Sequence, residues 1–340
     1  MNINLKYIIF SIIFFFVIFF ILEKYIFPNR NVHEIIYPEI YKKEIPFYLT
    51  GLANKQDIIK IKKGIKTAKN KKIVICGLCR NIGYKKIKRM MEKIYNITKY
   101  FKEYKIVLFE NDSTDNTRDI IKYYCSIDKN IKLLDCCSKN NCDCKLSFKT
   151  SYSSGVLSKN RIKNMAWCRN QYLNYVKKNY QNYDYLMVVD MDLNGNVSSS
   201  GFFHSLGYDE WDAIFINGRV STPGLLGIGT IAYDSLAYNK IGPIKKKTTQ
   251  YELVDDLFHL NGKIKINKKK GLFRVISAFN GIGIYKIPSI LNASYDSKTA
   301  CEHIDFHTNM IRNGKNKLYI NPKFMGYFEM QGPQNLSDLY

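Results

Sequence analysis

KKIVICGLC, residues 71–79, decides how this 340-residue chain is to be read. It is a short apolar run of the kind that forms a strand buried on both faces of a parallel sheet. Beyond it, Ile87, Met90, Ile94, Ile97 and Phe101 recur at steps of three and four, one face of a helix. KIVLFEN (105–111) predicts a second strand. STDNTRDIIKYYC predicts a second helix, with Ser113 or Thr114 placed to cap it. IKLLDC (131–136) predicts a third strand. Strands alternating with helices in this way build a parallel sheet with right-handed crossovers, so the fold class is α/β.

The pattern continues downstream. Ile162, Met165, Ala166, Leu173 and Val176 stripe another helix, and YLMVVDMDL (185–193) and AIFINGR (213–219) are further strands. FRVISAFNGIGIY (273–285) and KLYINP (317–322) follow among longer loops, and the tail after Pro322 is expected to wrap irregularly over the core. Residues 28–70 are polar and lysine-rich, with little periodicity, and predict a stem or linker. Before them, Tyr7–Leu22 is an uncharged apolar run flanked by Lys6 and Lys24. With its flanks it approaches the roughly 20 residues that span a bilayer core. No small-residue cleavage pattern follows, which favours an uncleaved anchor over residues 1–27 above a signal peptide.

The net charge of +23 comes from dispersed lysines and fits no nucleic-acid-binding motif, so no specific nucleic acid is expected as a partner. Nine cysteines are present, four of them in DCCSKNNCDCK (Cys136, Cys137, Cys142, Cys144). That spacing lacks the paired C-x-x-C of common zinc modules and leaves zinc, a local disulfide and plain thiols all open.

Ligands of open parallel sheets bind beyond the carboxyl ends of the strands. Three such ends carry polar groups: Cys79, Arg80 and Asn81; Glu110, Asn111 and Asp112; and Asp190 and Asp192. If the strand continues through them, Asp190 and Asp192 share a face, about 7 Å apart. Two ionised acids at the mouth of a buried strand call for a cation. A divalent ion held by both, with positions left for phosphate oxygens, answers that need.

IVICGLCRN, VLFENDSTDNT, RIKNMAWCRNQYL, YLMVVDMDL, FNGIGIYK and CEHIDF, in that order, resemble nucleotide-sugar glycosyltransferases of the GT-A fold. Within that superfamily the chain is most similar to the membrane-anchored cryptococcal capsular mannosyltransferase-like and Anp1/Mnn9-like groups, over about residues 71–325. The resemblance implies a GT-A-like, Rossmann-type mixed sheet flanked by helices and preceded by one N-terminal transmembrane helix. Residues 71–150 would form a nucleotide-binding half and residues 151–340 a metal and acceptor half.

The activity implied is transfer of a hexose, mannose being favoured, from a nucleoside-diphosphate sugar to a glycan or glycoconjugate hydroxyl, at an internal membrane of the Golgi or endoplasmic-reticulum kind or a viral one. The cofactor implied is Mn2+ or Mg2+. Glu110, Asn111 and Asp112 would bind base and ribose, with Arg80 beside them. Asp190 and Asp192 would bind metal and diphosphate. Arg161 and Arg169, two turns apart, suit a phosphate or acceptor contact, Arg169 being equally readable as a surface ion-pair partner. Glu302 is a candidate base or acceptor ligand. His303 or His307 would complete the metal site or serve as structural histidines. Gly281 and Gly283 would allow close backbone approach to the sugar or form a β-bulge, and residues 221–229 an acceptor flap or a plain connection. A metal-dependent nucleotidyltransferase and a non-catalytic glycan-binding protein are the alternatives.

Overall fold

The lysine-rich segment expected as a stem is helical from Lys55 onward. α1 (Lys55–Lys69) starts at Asn54, whose side chain accepts the Asp57 backbone N–H at 2.8 Å, a standard N-cap. Its inward stripe holds Gly64 and Ala68, with Ile61 and Ile65 packed on the core. Periodicity is weak in the sequence because lysines surround that narrow stripe. The body of the protein therefore begins upstream of residue 71.

The computed structural model describes residues 52, 54–135, 159–222, 229–239, 271–299 and 301–328, all within the unit Glu44–Tyr340. The expected anchor over residues 1–27, the cysteine cluster at 136–144 and most of the 221–229 loop lie outside them. Among the described residues no helix is long and apolar enough to cross a membrane.

After α1 the order is β1 (Lys72–Cys79), α2 (Gly83–Thr98), β2 (Glu103–Glu110), α3 (Thr117–Ile127), β3 (Ile131–Asp135), α4 (Lys159–Asn179) and β4 (Tyr185–Val189). Then come β5 (Gly195–Val197), α5 (Ser199–Leu206), β6 (Ala213–Thr222), β7 (Gly229–Ala232), β8 (Phe273–Arg274), β9 (Ile282–Lys286), α6 (Ile287–Ile290), α7 (Glu302–Arg312) and β10 (Leu318–Phe328). Along β1, Ile73 and Ile75 bury on one face and Val74 and Cys76 on the other. α2 and α5 cover the first face, with Ile87, Met90, Ile94, Phe202 and Phe203. α4 and α7 cover the second, with Tyr172, Leu173, Val176, Phe306 and Met310.

The strands form one mixed sheet in the order β3-β2-β1-β4-β9-β6-β10-β5, with β7 on β6 and β8 on β10. β3, β2, β1 and β4 are mutually parallel, as their crossover helices require. β9 enters antiparallel between β4 and β6. The halves read at 71–150 and 151–340 thus share one hydrogen-bonded sheet.

Three sequence expectations need correction. Ser113 and Thr114 do not cap the second helix. It starts at Thr117, whose N–H donates to Asp115 Oδ1 at 2.9 Å, while Ser113 and Thr114 bind Asn81. The 273–285 run is not one strand: Asn280 (φ +56°) and Gly281 (φ +93°) break it ahead of β9. As far as Phe328, the chain after Pro322 is strand and not an irregular wrap; residues 329–340 lie outside the described residues. β10 continues to Phe328 and absorbs the proline, which lacks an N–H, where its register with β6 shifts between Ile320 and Met325.

α1 is held closely. A Cβ on Gly64 would lie 1.8 Å from the Phe203 carbonyl oxygen on α5. Buried Asp57 pairs with buried Lys323 of β10, and His204 Nε2 stands 3.2 Å from the same carboxylate. Gly64→Ala is therefore expected to cost about 1–3 kcal/mol by forcing α1 off α5. An unchanged urea midpoint would refute that contact.

Candidate active site

The parallel strands bring their carboxyl ends to one edge, where Cys79, Glu110 and Asp135 stand side by side and Val189 ends β4. The antiparallel strands add to the same edge the segment leading into β9 and the residues that follow β7. Among the described residues four non-glycine positions have positive φ: Asn81, Asp112, Asp234 and Asn280. All four flank this edge. Asn and Asp tolerate that conformation best, and strained backbone of this kind gathers at functional sites.

β4 stops at Val189, one residue short of the acids, so Asp190 and Asp192 do not alternate along a strand as expected. They bracket a turn closed by Leu193 N–H donating to the Asp190 carbonyl at 3.4 Å. Met191 between them is buried, and a Cβ on Gly77 of β1 would sit 2.4 Å from its Cγ. The missing side chain at Gly77 thus seats Met191 beneath the turn. Asp190 N–H donates to the Gly281 carbonyl at 3.0 Å, which fixes the turn against the start of β9. Gly281 is further crowded by Leu193 and Tyr233, and Gly283 by the Tyr285 ring. Packing within the protein thus accounts for both glycines.

Asp190 has a cationic partner within the chain: Arg169, on α4 and 3% exposed. Its Nη2 lies 3.2 Å from Asp190 Oδ1 and its Nε 2.9 Å from Glu302 Oε1 at the start of α7. Nη1 donates to Tyr172 Oη at 3.3 Å. The guanidinium also stands 5.1 Å from the centre of the Phe279 ring and 5.9 Å from that of Tyr295. The neighbouring Asn170 explains the R-N pair, because its carboxamide bonds both the backbone N–H and carbonyl of Tyr295. Burial raises the Asp190 carboxyl to about 7 against the pull of Arg169, with Asp192 and Glu302 adding to the rise.

Asp234, which follows β7 at φ +50°, belongs to the same cluster and was not singled out in the sequence. Burial and the charges of Asp190 and Glu302 push its carboxyl well up, while Arg169 and Arg161 pull it down. No motif marks it; only the β6–β7 hairpin brings it to this edge.

Glu110 is fully buried and engaged by the protein itself, through Arg118 at 2.6 Å and the Ser113 N–H at 2.8 Å; Arg118 also reaches Asp135 at 3.2 Å. Beside it Asn111 is 4% exposed, and among the described residues neither its Oδ1 nor its Nδ2 has a partner. Asp112 is half-buried at φ +56°. Arg80 is exposed and lies within electrostatic reach of Cys168, next to Arg169 in α4.

His303 is 1% exposed and stacks on Phe279 at 3.8 Å, its Nε2 standing 3.8 Å from Glu302 Oε1. Burial and the nearby Arg169 charge hold its pKa well below the histidine range. His307 bonds Ser277 through Nδ1 at 2.8 Å and Tyr285 through Nε2 at 3.0 Å. Burial lowers its pKa to about 3.

This lowered value fixes a pH response. The unfolded chain takes up a proton near 6.5 that folded His307 refuses until about 3. Its contribution to stability is complete above 6.5 and declines as pH falls toward 3. His307→Gln is expected to flatten that part of the stability profile, read by urea unfolding between pH 7.5 and 4.5. An unaltered slope would place the acid sensitivity elsewhere.

Among the described residues no group of three or more His, Cys, Asp or Glu side chains is arranged to hold a metal ion. Mg2+ and Mn2+ need fewer, since one or two carboxylates suffice when water and substrate phosphates supply the other oxygens. Asp190 and Asp192, which bracket one turn, fit that mode.

The chain matches no protein-family model, and no curated protein matches it. Its structure is similar to that of GalNAc-T7 with UDP, GalNAc and Mn2+ (12% identity, TM-score 0.46, covering 78% of this chain and 44% of that one). It is also similar to S. aureus TarS 1-349 in complex with UDP-GlcNAc (13%, 0.45, 79% and 61%). A third likeness is to the mannosyltransferase PcManGT from Pyrobaculum calidifontis in complex with GDP-Man and Mn2+ (8%, 0.45, 84% and 68%). The chain spans less than two thirds of the first two.

Proposed function

We propose that this chain is a metal-dependent glycosyltransferase of the GT-A type, akin to the capsular mannosyltransferase-like and Anp1/Mnn9-like groups. It moves a hexose, with mannose favoured, from a nucleoside-diphosphate sugar to a hydroxyl of a glycan or glycoconjugate. The apolar run near its amino terminus anchors it in an internal membrane.

The observation that carries this reading is the chain Asp190–Arg169–Glu302 at the carboxyl edge of the sheet, with Asp192 and Asp234 beside it. Asp190 and Asp192 are the residues to hold Mn2+ or Mg2+, which when bound offsets charge building on the departing diphosphate. Arg169 fixes the orientation of Asp190 and Glu302 together. Buried Asn111 offers a donor and an acceptor to the base, while Arg118 ties Glu110 into the loop that presents it. Arg161 reaches the acid cluster from the first turns of α4 and suits a phosphate oxygen.

The test is to incubate the full chain in detergent with a panel of nucleotide sugars, with and without Mn2+. Mn2+-dependent release of a nucleoside diphosphate is expected. Pyrophosphate release from a nucleoside triphosphate would instead indicate nucleotidyl transfer. Binding without turnover of any donor would indicate a glycan-binding protein.

A further inference from the structure

We infer that the outward face of α1 is a docking surface for an anionic phospholipid bilayer, separate from the active-site edge. Asp57, Gly64 and Ala68 point inward. Opposite them, Lys55, Ile59, Lys62, Lys66 and Lys69 follow one another at steps of four and three residues, and all are exposed. At that spacing they form one stripe along the helix.

No acid interrupts the stripe. Asp57 is the only carboxylate in the helix, and it is buried against Lys323. Two other lysines of α1 are engaged sideways, Lys63 with Asp209 at 2.6 Å and Lys60 over the Tyr208 ring at 3.6 Å. Among the described residues Lys55, Lys62, Lys66 and Lys69 take part in no ion pair. At the first turn Ile58 and Ile59 are 43% and 57% exposed, two adjacent aliphatic side chains in water.

A row of lysines with apolar residues at one end is what an interfacial helix presents to an anionic surface, the charges drawn to headgroups and the apolar side chains entering the boundary. The buried Asp57–Lys323 pair and the close Gly64–Phe203 contact make α1 a fixed part of the protein. Docking on this face therefore orients the whole sheet. In sequence, α1 also follows the apolar run ending at Leu22 in the same chain. The exposed face of α2 carries Lys85, Lys88 and Arg89 but, unlike α1, is interrupted by an acid, Glu92. The inference does not depend on the transfer chemistry.

The test uses the full chain carrying Ile59→Trp, presented to vesicles containing brominated lipid, with the signal of Trp167 and Trp211 subtracted using the parent. An inserted apolar run would bring the protein to neutral and anionic vesicles alike, so the difference between them reports α1. We expect quenching in phosphatidylcholine–phosphatidylserine vesicles and none in phosphatidylcholine alone. Adding Lys62→Glu and Lys66→Glu should reduce quenching to background, and adding Lys85→Glu and Lys88→Glu on α2 should leave it intact. If the α1 pair impairs folding, about 1 M salt, where screening shortens to roughly 3 Å, should abolish the quenching without any charge substitution. Equal quenching in neutral vesicles overturns the inference. So does equal loss with the α2 pair, or a fluorescence shift with an RNA oligonucleotide but not with vesicles.

Discussion

Arg169→Met is expected to abolish transfer and to destabilise the fold by about 3–5 kcal/mol, the usual consequence of removing one partner from a buried ionic group. The guanidinium serves two carboxylates at 3.2 and 2.9 Å and the Tyr172 hydroxyl, with the Phe279 and Tyr295 rings 5.1 and 5.9 Å away. Methionine fills much of the volume but leaves half-buried Asp190 and buried Glu302 without that counter-charge. Asp190, already raised by burial, loses the charge that pulls its carboxyl down. Its folded-state pKa rises further, so the lost stability returns as pH falls and it is neutralised. Urea unfolding at pH 7.5 and pH 5 checks this: a large deficit at the higher pH, shrinking at the lower. Arg169→Lys keeps the charge but not the fork that spans two acids, and an intermediate deficit is expected. If the Met substitution leaves the midpoint unchanged at pH 7.5, Arg169 does not bridge the two acids in solution.

That bridge also marks where sequence reasoning reached its limit. Strands and helices from Lys72 to Asp135 were legible because each buries a face through local periodicity: steps of three and four in α2, a continuous apolar run in β1. Asp190, Asp192, Arg169 and Glu302 stood out as chemical types at motif positions. Their mutual arrangement did not, because α4 and α7 approach the edge from separate parts of the chain, and nothing local says that Arg169 turns inward rather than to the surface. Asp234 has no motif and acquires its place through a hairpin that pairs non-locally. β4 ends four residues earlier than the 185–193 run suggests, since apolar character continues through Met191 and Leu193 even though the ladder has stopped. Met191 is buried in a turn, against Gly77, for a reason visible only in three dimensions. α1 was obscured because the residues it buries fully are a glycine, an alanine and an aspartate, which do not read as an apolar stripe.

The two acids of the turn should separate cleanly under substitution. Asp192→Asn is expected to lower transfer by about a thousandfold, the scale of losing electrostatic stabilisation of a developing negative charge. Asp192 is half-buried in the turn, and its carboxylate is not in the Arg169 bridge. Asp190→Asn should lower transfer at least as much but act differently on the fold. The Asp190 carboxyl titrates near 7 when folded and near 3.8 when free. The folded protein therefore holds a proton that the unfolded chain has released, and the stability contributed by this group is full below 3.8 and lost as pH rises through 7. Asp190→Asn removes that loss, so its stability should fall less than the parent's between pH 4 and 8. The two effects are read independently, by unfolding without metal and by Mn2+ titration in the presence of a nucleoside diphosphate. Both substitutions should weaken Mn2+ binding at least tenfold. Undiminished Mn2+ affinity in both proteins would remove these acids from the metal site, whatever their transfer rates.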